Sequence, residues 1–217
     1  MLERAGAVTD PGTLTALAEQ ALARLAPLRF DVARGEQERD AVLRMRFECV
    51  VAEGWSRSED HPTGRERDAY DEQATFVVCR DGERLAGSMR VVAPSPDRLL
   101  PSEQEFGVRA RPAGGVVEVG RLIVAPGVRS RQSHRILAGL AARGWLEAVA
   151  HRYDRAISTA TPELIELYRG LGLRVTVLGP ARDHWGARRA PIMIEGDVGS
   201  FAFLTGTVAQ AGDIGDP

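Results

Sequence analysis

"VVEVGRLIV", residues 116–124, decides how this chain folds. Its run of β-branched and aliphatic residues reads as a strand buried in the middle of a sheet. Regular alternation would put Val117, Val119, Arg121 and Ile123 on one face, with Glu118 and Gly120 on the other. An acid and a guanidinium would then point apart. A bulge at Gly120 changes this, because an extra residue re-aims every side chain after it. It would also free backbone N–H groups in mid-sheet, where they could polarise a carbonyl and stabilise the oxyanion formed from it. The other reading is a plain buried strand with Glu118 and Arg121 as end charges.

The strand is followed by "APGVRSRQS" and then by "SRQSHRILAGLAARGWLEAVAHRYD". The latter predicts a long helix with Ile136, Leu137, Leu140 and Val149 inward. Strand, loop and helix start form a common phosphate grip, assisted by the helix dipole. Arg129, Arg131 and Arg135 add charge there, although a solvated basic helix start has the same pattern.

Upstream, "ATFVVCRDGERLAGSMRVVAP" (74–94) reads as a hairpin turning at Asp81-Gly82. Before it lies the polar loop "SRSEDHPTGRERDAYDEQ", long enough to suggest a functional role. Glu66, Asp68, Asp71 and Glu72 crowd into it around Tyr70. Helices are expected over 13–28 and 35–55, the second with Val42, Met45, Cys49 and Val50 inward. "PSPDRLLPSEQEFGVRARPAGG" reads as irregular. "RAISTA" is a short strand. Thr161-Pro162-Glu163 starts a helix that ends at glycines. "RVTVLGP" and "APIMIEG" close as a strand pair. The expected fold is α/β: one domain with a mixed, mostly antiparallel sheet and helices on both faces. Residues 1–28 form a helical extension, 29–204 the domain and 205–217 a disordered tail.

The 217 residues suffice for one well-cored domain. A net charge of −2 provides no global field to recruit nucleic acid. All 28 basic residues are Arg, so no lysine is available as a Schiff base or catalytic amine. Two cysteines, Cys49 and Cys79, are too few for a disulfide scaffold or a thiolate zinc site. No charged-then-apolar leader opens the chain, and no apolar run nears the length of a membrane span. A cytoplasmic protein without an integral membrane segment is expected.

Four segments in order resemble one family. "RFECVVAEGW" is similar to an early helix that carries an Arg and ends in Trp. "ERDAYDEQATFVV" resembles an E-x-D-x-x-D loop entering a hairpin strand. "GSMRVV…LLPSEQEF" resembles a strand Arg followed by Leu-Pro-x-Glu, and "VEVGRLIV" resembles an E-x-x-R central strand. Together they resemble the GNAT acyltransferases, and among them the acyl-homoserine-lactone synthases and long-chain N-acyl amino acid synthases. Val117, Gly120 and Val50 depart from the lactone-synthase pattern and tilt the likeness toward the N-acyl amino acid synthases.

That resemblance implies a GNAT-like domain and no bound cofactor. The donor would be an acyl carrier protein or coenzyme A thioester. The acceptor would be a small-molecule amine: an amino acid, or S-adenosylmethionine in a lactone synthase. It implies that Arg46, Trp55, Glu66, Asp68, Asp71, Arg90 and Arg121 surround the acceptor, with the loop carboxylates paired to the arginines. Val124, Arg129, Arg131 and Arg135 fall on the donor side. Glu118 would take the amine proton, the strand at Gly120 would polarise the carbonyl, and Tyr168 would protonate the leaving thiolate. The loop "RSRQSH" lacks the glycines of a standard coenzyme A grip, which favours a carrier-protein partner. No metal is implied. An acetyltransferase and a non-catalytic acyl or amino-acid sensor are the other readings of the fold.

Overall fold

The computed structural model describes residues 11–110, 115–128, 132–170 and 173–196. Among the described residues five α-helices, α1 (Pro11–Ala23), α2 (Gly35–Ala52), α3 (Pro101–Phe106), α4 (Ser133–Ala150) and α5 (Pro162–Gly170), surround a sheet. Its strands are β1 (Arg29–Val32), β2 (Thr75–Asp81), β3 (Arg84–Val92), β4 (Val116–Val124), β5 (Arg155–Ala160), β6 (Val175–Val177), β7 (Arg182–His184) and β8 (Ala187–Glu195). The order is β1-β2-β3-β4-β5-β8-β6, with β7 paired to β8. Every pairing is antiparallel except that of β4 with β5.

Alternation along the strands feeds two cores. Val77, Cys79, Met89, Val91 and Val117 pack with Ile136 and Leu140 of α4. Gly87 makes that approach possible, since a Cβ there would lie 2.7 Å from Ile136 Cγ2 and 2.8 Å from the Ile123 carbonyl. On the opposite face, Phe76, Val78 and Val92 pack with Val42 of α2. Helix α1 buries Leu14, Ala18 and Ala21 against Ala138 and Ala142 of α4.

Two segments depart from the sequence expectation. The stretch read as irregular contains α3, started by Pro101 and ended by Gly107 at φ 67°. The buried Glu103 carboxylate accepts N–H bonds from Leu100 at 3.0 Å and Ala110 at 2.8 Å, holding both ends of this short helix. The closing strand pair is a trio, because the turn Trp185-Gly186 folds β7 back on β8. Both turn residues have positive φ, 53° and 67°, as a two-residue type I′ turn requires. Residues 205–217 lie outside the described residues.

Candidate active site

The bulge in β4 exists, one residue later than expected. Gly120 still pairs with Arg90, whereas Ile123 pairs with Ser88, so Arg121 and Leu122 together face Met89 alone. Arg121 is the strained residue, at φ 50°. A non-glycine residue holds this left-handed conformation only where its surroundings impose it. Here the surroundings are ionic. The turned backbone sends Arg121 to the Glu118 side of the sheet, where its Nη2 lies 3.1 Å from Glu66 Oε1 and 3.1 Å from Asp68 Oδ2. The extra residue also flips Ile123 to the face of its partner Ser88, away from Val117 and Val119.

The sheet parts at the same place. Strands β4 and β5 pair only over Val116–Glu118 and Arg155–Ile157, after which β5 continues with β8 alone. Gly120 therefore stands on a central strand with one side unpaired. A Cβ built on it meets nothing within 4 Å, so the ground above it is open.

The crowded carboxylates of 66–71 answer three arginines from three elements. Arg46 of α2, 1% exposed, binds Glu66 and places Nη1 2.8 Å from Asp71 Oδ1. Arg90 of β3 donates to Asp68 at 2.7 Å and Asp71 at 2.9 Å. Arg121 of β4 completes the set. Three guanidiniums thus meet three carboxylates, and the buried network is formally neutral. Each ion alone would be expensive to bury; paired and hydrogen-bonded, the set is tolerated. Burial works against the Asp71 anion, but Arg46 and Arg90 outweigh it and hold its pKa below the ordinary value. The loop is pinned further by the Asp68 N–H to Asp71 at 2.8 Å and the Glu66 N–H to the Leu43 carbonyl at 3.1 Å. Glu72 takes no part: it is exposed, 3.7 Å from Arg67.

Glu118 sits at the last β4–β5 pair, 7% exposed. Its carboxylate accepts the N–H and the Oγ–H of Ser102, both at 2.8 Å, from the first turn of α3. Burial pushes its pKa up to about 7, against the pull of the Ser102 bonds, Arg90 and Arg121. The group therefore divides between acid and base forms near neutral pH, as proton-transfer chemistry needs.

The β7–β8 turn covers this region. The Arg121 guanidinium lies 4.0 Å from the Trp185 ring centroid, so two left-handed residues stack on each other. Trp55 packs beneath the turn, where a Cβ on Gly186 would come within 2.6 Å of its Cδ1. His184 lies edge-on to Phe106 of α3 at 5.5 Å, and Arg189 approaches Trp55 at 6.0 Å.

The structure thus gathers Arg46, Glu66, Asp68, Asp71, Arg90, Glu118, Gly120 and Arg121 on one side of the split sheet, with Trp55 nearby. Tyr168 lies on α5 against Ala160, Ile165, Ala190 and Ile192, and burial raises its pKa. The Val124 carbonyl lies 3.5 Å from the Cys49 thiol. Arg135 turns toward α1, donating to the carbonyls of Leu25 at 3.3 Å and Ala26 at 3.2 Å. Arg129 and Arg131 lie outside the described residues. No group of three or more His, Cys, Asp or Glu among the described residues could hold a metal ion. No helix among them is long and apolar enough to cross a membrane.

Sequence reasoning missed Ser102, Arg189 and Arg39. Arg39 of α2 donates to the Ala74 carbonyl at 2.9 Å and to that of Asp71, tying the loop's end to the helix. Arg39 falls two helical turns before Arg46, and that spacing is its sequence signal. The aromatic-Gly pair inside "DHWGARR" is the signal for the turn.

The sequence model of N-acyl amino acid synthase FeeM matches residues 41–194. No curated protein sequence matches the chain. Among solved structures, the coenzyme A-dependent acyl-homoserine lactone synthase BjaI, with S-adenosylmethionine and isopentyl-coenzyme A, is similar at TM-score 0.64 and 19% identity, over 84% of this chain and 89% of BjaI. MesI, another coenzyme A-dependent lactone synthase, is similar at TM-score 0.62 and 21% identity, over 88% and 97%. FeeM itself, from uncultured soil microbes, follows at 0.55 and 19%, over 77% and 90%. The GNAT-like α/β fold expected from the sequence is the fold observed.

Proposed function

The chain belongs to the family of N-acyl amino acid synthase FeeM, amide-forming acyltransferases, and on that premise we propose that it moves a fatty acyl group from a pantetheine thioester to the amine of a free amino acid. The observation that carries the reading is the open ground above Gly120, where β4 and β5 part beside a buried carboxylate. The amine nitrogen attacks the thioester carbonyl carbon. Its proton passes to Glu118, directly or through a water, and the C–S bond breaks. Tyr168 gives its proton to the departing thiolate and regains one from solvent. Backbone N–H groups of β4 beyond Glu118, which have no β5 partner, polarise the carbonyl. An α-amino group of pKa about 8 is about one-tenth free base at pH 7, so a base as modest as Glu118 suffices.

The Arg46–Arg90–Arg121 network holds the loop of Glu66, Asp68 and Asp71 against the acceptor side, with Trp55 as a wall. Val124, Arg129, Arg131 and Arg135 are assigned to the donor side. The segment RSRQSH, rich in Arg and without glycine, favours acyl carrier protein over coenzyme A. Residues 29–204 are assigned to the acyltransferase domain, with 1–28 as an extension and 205–217 as a tail.

The test offers the purified protein acyl carrier protein and coenzyme A thioesters of a chain-length series, with the common amino acids or S-adenosylmethionine. Products are identified by mass spectrometry. An N-acyl amino acid is the expected product. Acylation of S-adenosylmethionine alone, with release of methylthioadenosine, would identify a lactone synthase. No amide from any pair would end the reading.

A further inference from the structure

An amino-acid acceptor brings a carboxylate as well as an amine, and that anion needs a cation. The three arginines of the network have none to spare, each being held by two carboxylates. Arg189 on β8 is differently placed. Its side chain is half-buried, its Nε is buried without a hydrogen-bond partner, and its guanidinium makes no ion pair among the described residues. A guanidinium partly withdrawn from water and left unpaired costs free energy unless a ligand completes it.

Its neighbours place it beside the acceptor region. Arg189 faces the Trp55 ring at 6.0 Å, Trp55 packs against the Trp185-Gly186 turn, and Trp185 covers Arg121 at 4.0 Å. The Tyr168 hydroxyl is within its electrostatic reach, and Arg121 and Arg189 both act on His184. The corner thus carries two guanidiniums, a phenol and two indoles. Glu66 and Asp68 are taken up by Arg121 at 3.1 Å, and half-exposed Glu105 lies 3.8 Å from His184; none of the three forms an ion pair with Arg189.

We propose that Arg189 binds the α-carboxylate of the acceptor amino acid, with its fork turned to that anion between Trp55 and Tyr168, and so selects amino acids over simple amines. A guanidinium matches a carboxylate with two parallel N–H bonds, and the aromatic walls exclude competing water. The inference rests on the acyltransferase reading above and names the acceptor's second point of attachment.

The experiment compares kcat/KM for one accepted amino acid with that for its methyl ester, in the wild type, Arg189→Gln and Arg189→Lys. Wild type should prefer the free acid about 10- to 100-fold, the range of a charge-assisted contact. Arg189→Gln should collapse that preference toward one, chiefly through KM. Arg189→Lys should restore part of it, because it returns the charge without the fork. An acid-to-ester ratio unchanged by Arg189→Gln overturns the inference while leaving the acyltransferase reading intact. Equal losses on acid and ester also overturn it, and point instead to a donor phosphate. That source is checked with an acyl-pantetheine lacking phosphate: a loss that vanishes with this donor assigns Arg189 to the donor. A wild type that acylates no amino acid fails the earlier reading itself.

Discussion

Glu118→Gln should remove most of the activity while making the protein more stable at alkaline pH. The Gln side chain keeps the shape of Glu and can still accept from Ser102, so the variant tests charge and proton transfer rather than packing. Loss of a positioned general base costs about 10²–10⁴ in rate. The pH profile is more specific. In the wild type, both an amine of pKa about 8 and Glu118, with its pKa pushed up to about 7, must shed protons. Going from pH 7 to pH 6 therefore reduces kcat/KM about 50-fold, roughly 9-fold from the amine and 5-fold from Glu118. In Glu118→Gln only the amine factor of about 9 remains.

Stability runs the other way. The folded pKa lies above the ordinary 4.5, so the fold favours the neutral acid. Stability is full below 4.5, falls as the pH rises between the two values, and levels off above 7. At about 1.4 kcal/mol per pH unit, the ionised form costs about 3 kcal/mol. Glu118→Gln escapes that cost, so its urea midpoint at pH 8 should rise by about 1.5 M for a slope near 2 kcal/mol/M, with a much smaller gain at pH 5. Amide formation is followed by mass spectrometry and unfolding by circular dichroism. A variant within threefold of wild type, with the same acid limb and no gain in midpoint at pH 8, would refute both the burial argument and the base assignment.

Ser102→Ala removes a hydroxyl bond that lowers the Glu118 pKa, so the acid limb of kcat/KM should move to higher pH. Asp71→Asn leaves Arg46 and Arg90 one anion short in a buried network and should cost about 3–5 kcal/mol of unfolding free energy. Because the Asp71 pKa is lowered in the fold, that difference should be complete above about pH 4 and shrink as pH falls through the folded value; urea melts at several pH values check both. Gly186→Ala combines φ 67° with a Cβ placed 2.6 Å from Trp55 Cδ1. It should destabilise by about 1–3 kcal/mol and raise the acceptor KM, read from a thermal melt and initial rates.

Local chemistry is legible in the order of residues alone. The hairpin at Asp81-Gly82, the cap of α5 at Thr161-Pro162 and the inward stripes of α2 and α4 follow from nearest-neighbour rules. So does the choice at β4 between a bulge and a plain strand, because regular alternation sets Glu118 and Arg121 apart. The short helix α3 escapes such rules because Glu103 stabilises it by reaching seven residues ahead to the Ala110 N–H, a bond that no periodicity announces.

By itself the sequence placed a strand of the pattern 116–124 centrally, marked Gly120 as the point where it could bulge instead of running plain, and crowded the carboxylates of 66–71 into one loop. The tertiary structure alone decided the rest. It put the bulge on Arg121 rather than Gly120, because ion pairs to Glu66 and Asp68 hold a left-handed backbone that glycine would adopt freely. It raised the Glu118 pKa by burying that carboxylate beneath α3, and it left Arg189 beside Trp55 with no ion pair among the described residues. Each outcome depends on charge and burial contributed by elements distant in the chain, and such energies come into being only once the elements have met.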